Sequence, residues 1–135
     1  MGRRALIVLD THVIVYDALT PSRLSARARK AVAHGFAERQ LACCDISLWE
    51  IAMLIARRRL DPGMDARQFL QDILTVRQVQ VLPITVEIAV LSQSDLFVHG
   101  DPADRLIAAT TQLHRAALIT ADTQLRKLKD VTTIW

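Results

Sequence analysis

Short apolar runs recur along the chain, separated by longer stretches in which apolar residues have helical spacing. Three such runs, at residues 5–9, 41–44 and 117–119, contain no polar residue and no helical spacing. Such short, uninterrupted apolar runs are typical of strands that are buried on both faces. We also predict strands at residues 79–84 and 131–134, the first of them at a sheet edge because a proline lies inside it.

Capping residues and the spacing of apolar residues predict the helices. Ser25, Asp65 and Thr85 each precede such a stretch and are residue types that cap helix N-termini. Asp101 takes the same position before a further helix, with Pro102 at the first helical position, where proline is favoured. A short helix is predicted to begin at residue 13, and the others span residues 25–38, 47–59, 65–76, 85–92, 101–113 and 124–129.

The helix predicted from Ser47 is apolar on every side. Ser47 and Glu50 match the capping-box pattern, in which the first side chain bonds the helix start and the fourth reaches back to it. From residue 46 to residue 56, Glu50 is the single charged residue. We therefore expect this helix to be covered by the core and by a partner chain. Glu50 is then either bonded to the backbone or facing a polar cleft.

Strands that alternate with helices predict a three-layer α/β fold, in which a central, mostly parallel β-sheet is flanked by helices. The 135 residues suffice for one hydrophobic core and are too few for two. We therefore expect a single domain over residues 1–135.

Composition indicates a cytoplasmic protein. No apolar run is long enough to span a membrane, and the apolar segment at residues 5–9 is too short for the core of a signal peptide. The adjacent Cys43 and Cys44 offer neither a disulfide framework nor a metal-binding spacing. Two buried thiols fit a reducing cytoplasm. We expect no membrane partner.

Four acidic residues are predicted to meet at one edge of the sheet. Asp10 and Asp122 each follow a buried strand, and Glu50 and Asp104 each lie in the first turn of a helix that enters from the same edge. Ligands of such sheets bind beyond the carboxyl ends of the strands. One acid at such a position is explained by helix capping, whereas four together form a candidate site.

The chemistry of such a site is that of a divalent metal. Carboxylates packed together repel one another, and a divalent cation removes that repulsion. Ligands that are all oxygen favour Mg²⁺ or Mn²⁺ over zinc, and Mg²⁺ leaves coordination positions for phosphate oxygens. The net charge is +3, and without the four acids the rest of the chain carries +7. This balance suits a nucleic-acid backbone held around an acidic centre.

Four segments carry these acids: Leu-Asp-Thr-His-Val at 9–13, Ser-Leu-Trp-Glu-Ile-Ala at 47–52, His-Gly-Asp-Pro-Ala-Asp-Arg-Leu-Ile at 99–107 and Thr-Ala-Asp at 120–122. In order and approximate spacing they resemble the motifs of PIN-domain ribonucleases, above all the VapC-type toxins of bacterial toxin–antitoxin systems. The resemblance spans essentially the whole chain.

The resemblance implies a Mg²⁺-dependent endoribonuclease, with Mn²⁺ as a substitute, that hydrolyses RNA phosphodiester bonds by metal-activated water. It implies that Asp10, Glu50, Asp104 and Asp122 are the catalytic, metal-binding acids. It also implies a homodimer and a cognate antitoxin protein that blocks the site.

Several neighbouring residues keep two explanations. Asp101 is expected to cap its helix and support the site, with a water-mediated metal contact as the alternative. Thr11 and Thr120 orient a carboxylate or phosphate through their hydroxyls, or bond the local backbone. Arg105 follows a predicted ligand and contacts either phosphate or another chain.

Other residues of the motifs are assigned structural roles. His12 and His99 are expected to be positional, because a metal activates water without a side-chain base. Trp49 is expected in the core or a dimer interface rather than as a base-stacking platform. Arg57, Arg58 and Arg59 are expected to form a solvated helix end, with RNA or antitoxin contact as the alternative.

Two other functions stay open from the sequence. One is a module that binds RNA or an antitoxin without cleaving. The other is a metal-dependent phosphatase with Asp10 as a covalent nucleophile. The sequence Asp-Thr-His at 10–12 counts against it, because there is no second acid two residues after Asp10.

Overall fold

The centre of the molecule is one five-stranded parallel sheet. The structure is a computed structural model that describes residues 5–95 and 100–135. The strands are β1 (Ile7–Leu9), β2 (Leu41–Cys44), β3 (Gln80–Leu82), β4 (Ala117–Ile119) and β5 (Thr132–Ile134). Their order is β3-β2-β1-β4-β5, and every neighbouring pair is parallel. The predicted α/β fold with a parallel central sheet is thus confirmed, with β3 at an edge as expected.

Helices connect the strands on both sides of the sheet. In the described part of the chain they are α1 (Thr11–Leu19), α2 (Ala26–Ala37), α3 (Asp45–Ala56), α4 (Ala66–Val76), α5 (Val86–Leu91), α6 (Pro102–Leu113) and α7 (Thr123–Arg126). A short 3₁₀ helix, Pro21–Arg23, follows α1.

The caps predicted from the sequence are confirmed at the starts of α2, α4, α5 and α6. At each, a side-chain oxygen accepts a hydrogen bond of 2.7–3.2 Å from a backbone N–H two or three residues further on. The capping residues are Ser25, Asp65, Thr85 and Asp101.

α1 and α7 differ from their predicted bounds, and α3 ends at Ala56 instead of residue 59. α1 begins at Thr11 rather than at Val13, because Asp10 caps it directly at the end of β1. α7 ends at Arg126 instead of Lys129. The reason is that the N–H groups of Lys127 and Leu128 bond to carbonyls three residues back, which closes the last turn early.

The capping box predicted for α3 is wrong. α3 begins at Asp45, immediately after β2, and Cys44 is its N-terminal cap residue. Asp45 in the first turn accepts a hydrogen bond from the backbone N–H of Ile84, which ties the start of α3 to the chain beyond β3. Ser47 is therefore inside the helix and fully buried.

Two hydrophobic cores lie on opposite faces of the sheet and account for the three layers. In β1, Ile7 and Leu9 pack into the core formed with α1, α2 and α4, whereas Val8 packs into the core formed with α5 and α6. Cys43 and Cys44 divide between the two faces in the same way, as expected for adjacent strand residues. Burial raises the pKa of the Cys43 thiol to about 12, so this side chain is an uncharged core residue.

The prediction that α3 is covered on more than one side is not met by contacts within this chain. Ser47 and Ile51 are the buried residues of this apolar helix, and Trp49 is 59% exposed. Trp49 is therefore not a core residue. The outer side of α3 is left uncovered within the residues that the structure describes.

None of the helices in the described ranges combines the length and the apolar character needed to cross a bilayer.

Gly35 in α2 generates a test of the packing. A Cβ there would lie 2.5 Å from Leu41 Cδ2 and 3.2 Å from Ile7 Cδ1, and Leu41 is only 2% exposed. Glycine to alanine in a helix gains about 1 kcal/mol from propensity, while overpacking a core costs about 1–3 kcal/mol. We expect Gly35→Ala to lower the free energy of unfolding by about 1 kcal/mol in urea titrations. Leu41→Val in the same chain should recover part of the loss, and a Gly35→Ala variant more stable than the natural protein would contradict this packing.

Candidate active site

Asp10 is the most buried of the predicted site acids. It lies at the carboxyl end of β1 and is 5% exposed. Its Oδ1 accepts a hydrogen bond from the backbone N–H of Thr11 at 2.8 Å, and its Oδ2 accepts one from the Thr120 hydroxyl at 2.7 Å. Burial raises the pKa of Asp10 although both bonds oppose the rise. Because Thr120 follows β4, this carboxylate joins the ends of two neighbouring strands.

Glu50 is connected to Asp10 through Thr11. The Thr11 hydroxyl donates to Glu50 Oε1 at 2.5 Å and lies 2.9 Å from the Ser47 hydroxyl oxygen. Burial raises the pKa of Glu50, and the negative charges of Asp101 and Asp10 add to the rise. Glu50 thus contacts a side chain of α1 and does not cap its own helix.

Asp104 lies in the first turn of α6 and is surrounded by the other acids. Its pKa is raised to about 7, first by burial and then by the charges of Asp10, Asp122, Asp101 and Glu50. Among the described residues, no hydrogen bond holds the Asp104 carboxylate. It is therefore the acid most in need of a positive partner.

Asp122 and Asp101 cap helices at the same edge. Asp122 Oδ1 accepts the backbone N–H groups of Gln124 and Leu125 at 2.9 and 3.0 Å, and its own N–H donates to the Thr120 hydroxyl at 3.0 Å. These bonds leave Asp122 Oδ2 for other contacts. Asp101 is exposed and caps α6, so it acts on the site through its charge.

A cavity of about 230 Å³ brings three of the acids together. It is lined by Asp10, Asp104 and Asp122, with His12, Val13, Tyr16 and Ala121 completing its wall. Glu50 and Asp101 line a second concavity, with Trp49, Arg57 and Arg59 among its other residues. The four predicted acids therefore meet at one edge of the sheet, but they divide between two adjoining surfaces.

The residues with two explanations from the sequence have definite contacts. The hydroxyls of Thr11 and Thr120 each donate to a carboxylate, and the Thr120 hydroxyl also accepts a local backbone bond from the N–H of Asp122. Arg105 Nε donates to the Ser92 carbonyl at 3.0 Å, which ties α6 to the end of α5. Arg105 also lines a small pocket with Asp104 and Asp122.

Some residues around the site were missed or fall outside the described ranges. Tyr16 lines the cavity and was assigned no role from the sequence. Tyr16 lies one helical turn after His12, so a helix that begins at Thr11 would have placed both residues on the same side. His12 is exposed, and its charge lowers the pKa of Asp10 and of Glu50. His99, expected to be positional, lies outside the described residues.

The acids have the ligand chemistry that a hard divalent cation needs, but their side chains are not arranged around a preformed metal site. Across residues 5–95 and 100–135, no three or more His, Cys, Asp or Glu side chains are grouped so as to hold a metal ion as they lie. The donor set at this edge is entirely carboxylate oxygen, which Mg²⁺ and Mn²⁺ prefer. The mutual repulsion that raises the pKa of Asp104 is also what a divalent cation removes.

A sequence profile of the PIN domain matches residues 7–131, which is most of the chain. The chain belongs to the PIN-domain family. It is 35% identical over 132 residues to Ribonuclease VapC22 of Mycobacterium tuberculosis, covering 96% of this chain and 98% of that protein. The resemblance to PIN-domain, VapC-type proteins that the motifs predict is therefore confirmed.

Solved structures agree with the PIN fold. The chain is similar to a structure of VapBC2 from Rickettsia felis bound to a DNA fragment from their promoter, with a TM-score of 0.73, 13% identity and coverage of 95% and 96% of the two chains. It is also similar to a toxin-antitoxin complex from Klebsiella pneumoniae, with a TM-score of 0.61, 23% identity and coverage of 94% and 96%.

The raised pKa of Asp104 predicts how stability depends on pH in the absence of metal. An aspartate that titrates near 7 when folded and near 3.8 when unfolded binds its proton more tightly in the folded state. The protonated Asp104 therefore stabilises the folded state fully below about pH 4, and this stabilisation is lost as the pH rises through 7. Asparagine is neutral throughout, so Asp104→Asn should be more stable than the natural protein at pH 8. After allowance for solvent screening, we expect about 1–2 kcal/mol.

The measurement is urea denaturation in EDTA at pH 5 and at pH 8. The advantage of Asp104→Asn should shrink toward pH 5. The matched control is Asp130→Asn, at an exposed position, which should change stability by less than about 0.5 kcal/mol at either pH. Equal destabilisation by Asp104→Asn at both values would show that Asp104 is not under electrostatic strain.

Proposed function

We propose that this PIN-domain protein is a Mg²⁺-dependent endoribonuclease that acts as the toxin of a toxin–antitoxin pair. The observation that carries the proposal is the cavity in which Asp10, Asp104 and Asp122 meet although they come from three distant segments. The identity to a protein named as a ribonuclease supports RNA as the substrate.

The metal is proposed to be held by Asp10, Glu50, Asp104 and Asp122. When bound, Mg²⁺, or Mn²⁺ in its place, neutralises the carboxylates, activates water for attack and stabilises the charge that develops on the scissile phosphate. Asp104, which lacks a described hydrogen-bond partner, is best placed to change its contacts on metal binding.

The surrounding residues hold these carboxylates in place. The Thr120 hydroxyl and the Thr11 N–H fix both oxygens of Asp10, and the Thr11 hydroxyl fixes Glu50. Asp101 fixes the start of the helix that carries Asp104. Arg105 is proposed to orient the substrate phosphate beside Asp104 with the part of its guanidinium not bonded to Ser92.

An antitoxin and a second copy are the proposed protein partners. The antitoxin is supported by the likeness to a toxin-antitoxin complex, and its binding would block the site. The homodimer is supported by α3, whose apolar outer side includes the 59% exposed Trp49. We further propose that residues 1–135 act as a single domain in the cytoplasm, where Cys43 and Cys44 stay reduced.

Cleavage of RNA tests the function. We expect purified protein, free of antitoxin, to cut cellular RNA with Mg²⁺ or Mn²⁺ and to lose activity in EDTA. Asp10→Asn and Asp104→Asn should each reduce the rate by at least about 100-fold, since even residues that only orient metal ligands contribute 10–100-fold. Asp130→Asn is the matched control and should cleave normally.

The same assay separates the alternatives. RNA binding without cleavage in Mg²⁺ and Mn²⁺ would indicate a binding module, and release of phosphate from monoesters without RNA cleavage would indicate a phosphatase. Full activity in Asp10→Asn would remove the basis of the proposal. The phosphatase is disfavoured by Asp-Thr-His at 10–12, which lacks a second acid two residues after Asp10.

Thr120 provides a test of how the carboxylates are held. Thr120→Val removes the hydroxyl that donates to Asp10, with little change in volume at a position that is fully buried. We expect RNA cleavage to fall about 10–100-fold and the Mg²⁺ concentration for half-maximal activity to rise. Thr120→Ser keeps the hydroxyl and should keep most of the activity. Equal losses in both variants would point to packing rather than to the hydrogen bond.

A further inference from the structure

One wall of the acidic cavity is aromatic. Tyr16 lines it together with Asp10, Asp104 and Asp122. α1 places Tyr16 one turn after His12, and the two rings lie with their centroids 6.2 Å apart. The Tyr16 ring is half-buried and packs against the hydrophobic core, so its position is fixed by the fold.

Arg23 covers this ring from outside. Its guanidinium carbon lies 4.6 Å from the centroid of the Tyr16 ring, within the range of a cation–π contact. The backbone of Arg23 is fixed by the bond of its N–H to the Thr20 carbonyl, and the next residue, Leu24, is buried in the core. Arg23 itself is exposed, so the guanidinium is oriented by the protein and still accessible.

Arg77 provides the contrast that makes Arg23 informative. Arg77 also lies over an aromatic ring, that of Phe36 at 5.4 Å, but its guanidinium makes two hydrogen bonds to Asp17. Among the described residues, no acidic side chain pairs with Arg23. The N–H groups of Arg77 are thus used within the chain, whereas those of Arg23 are available to a ligand.

We propose that Arg23 is a substrate-contacting residue, whose guanidinium stacks on a base of single-stranded RNA and donates to a phosphate beside the acidic cavity. Tyr16 is the positioning residue that holds the guanidinium in its plane. This inference rests on the proposed ribonuclease function and adds a contact for the nucleotides next to the scissile bond. RNA-binding proteins read unpaired bases by stacking them on aromatic rings and on arginine planes.

RNA is favoured over an acidic peptide by the shape of this surface. A peptide carboxylate needs only a positive charge and gains nothing from an aromatic ring behind it. A base needs a flat, fixed surface, and the stacked Arg23 and Tyr16 provide one at the rim of the cavity. The two ligands therefore differ in how they respond to replacement of Arg23 by lysine, which keeps the charge and removes the plane.

Binding is measured without cleavage, by fluorescence anisotropy of a labelled 12-nucleotide single-stranded RNA of mixed sequence in EDTA. We expect Arg23→Lys to weaken binding about tenfold, since stacking of one base contributes roughly 5- to 150-fold in affinity. Tyr16→Phe should bind within about twofold of the natural protein because the ring remains. Tyr16→Leu should resemble Arg23→Lys. Arg115→Lys is the matched control, at an exposed arginine before β4 and so at the opposite edge of the sheet, and should bind normally.

Tyr16 is the only tyrosine of the chain, which gives a second readout. Protein labelled with ¹³C in the tyrosine ring has one ring environment to follow by NMR. We expect its signals to shift on addition of the RNA and to shift less in Arg23→Lys. Circular dichroism of each variant establishes that it is folded, and Arg23→Lys tests the proposal even if Tyr16→Leu does not fold.

Several outcomes would overturn the inference. Normal RNA affinity in Arg23→Lys would mean that only charge matters, and an unchanged tyrosine signal would place the RNA elsewhere. Loss of antitoxin binding with normal RNA binding would assign the surface to the protein partner. These binding measurements do not require RNA cleavage, so they test the Arg23 contact separately from the proposed ribonuclease function. Failure of that function would be shown by normal cleavage in Asp10→Asn.

Discussion

Repulsion among carboxylates at the carboxyl edge of the sheet is the constraint that organises this protein. A parallel sheet brings the ends of all its strands to one side, so acids that follow β1 and β4 become neighbours although they are 112 positions apart, at Asp10 and Asp122. Burial removes the water that would screen them, and the pKa of Asp104 rises to about 7 as a result. The fold keeps this arrangement because two hydrophobic cores stabilise the sheet from both faces.

Threonine hydroxyls stabilise two of the crowded carboxylates by donating hydrogen bonds to them. Thr120 and Thr11 each donate to one carboxylate, and their bonds oppose the rise in pKa that burial causes at Asp10 and Glu50. Each hydroxyl also accepts or shares a second bond, Thr120 from the N–H of Asp122 and Thr11 with Ser47. Two short side chains thus link Asp10, Glu50 and Asp122, which come from three segments, into one network. Asp104 is left outside it and carries the strongest unrelieved repulsion.

The fold and the meeting of the predicted acids at one edge of the sheet could be predicted from the sequence, because strands and helix starts each have a local signal. Continuous apolar runs mark the strands, single residues such as Ser25 and Asp65 mark helix starts, and strand ends locate the acids. The start of α3 could not be predicted in the same way. Ser47 and Glu50 match a capping box, yet the helix begins earlier, at Asp45, whose side chain accepts the Ile84 N–H from 39 positions away. The long-range bond to Ile84 favours a helix start at Asp45 over the start at Ser47 that the local pattern predicts.

The division of the acids between two surfaces also follows from contacts that no local pattern contains. Glu50 is bonded to Thr11 and lines the surface that also carries Trp49, Arg57 and Arg59, whereas Asp10, Asp104 and Asp122 share the cavity lined by Tyr16. The acids are therefore reached from two surfaces rather than from one pocket. A divalent cation at this edge would reduce the repulsion that raises the pKa of Asp104, and that repulsion is the physical reason to expect one there.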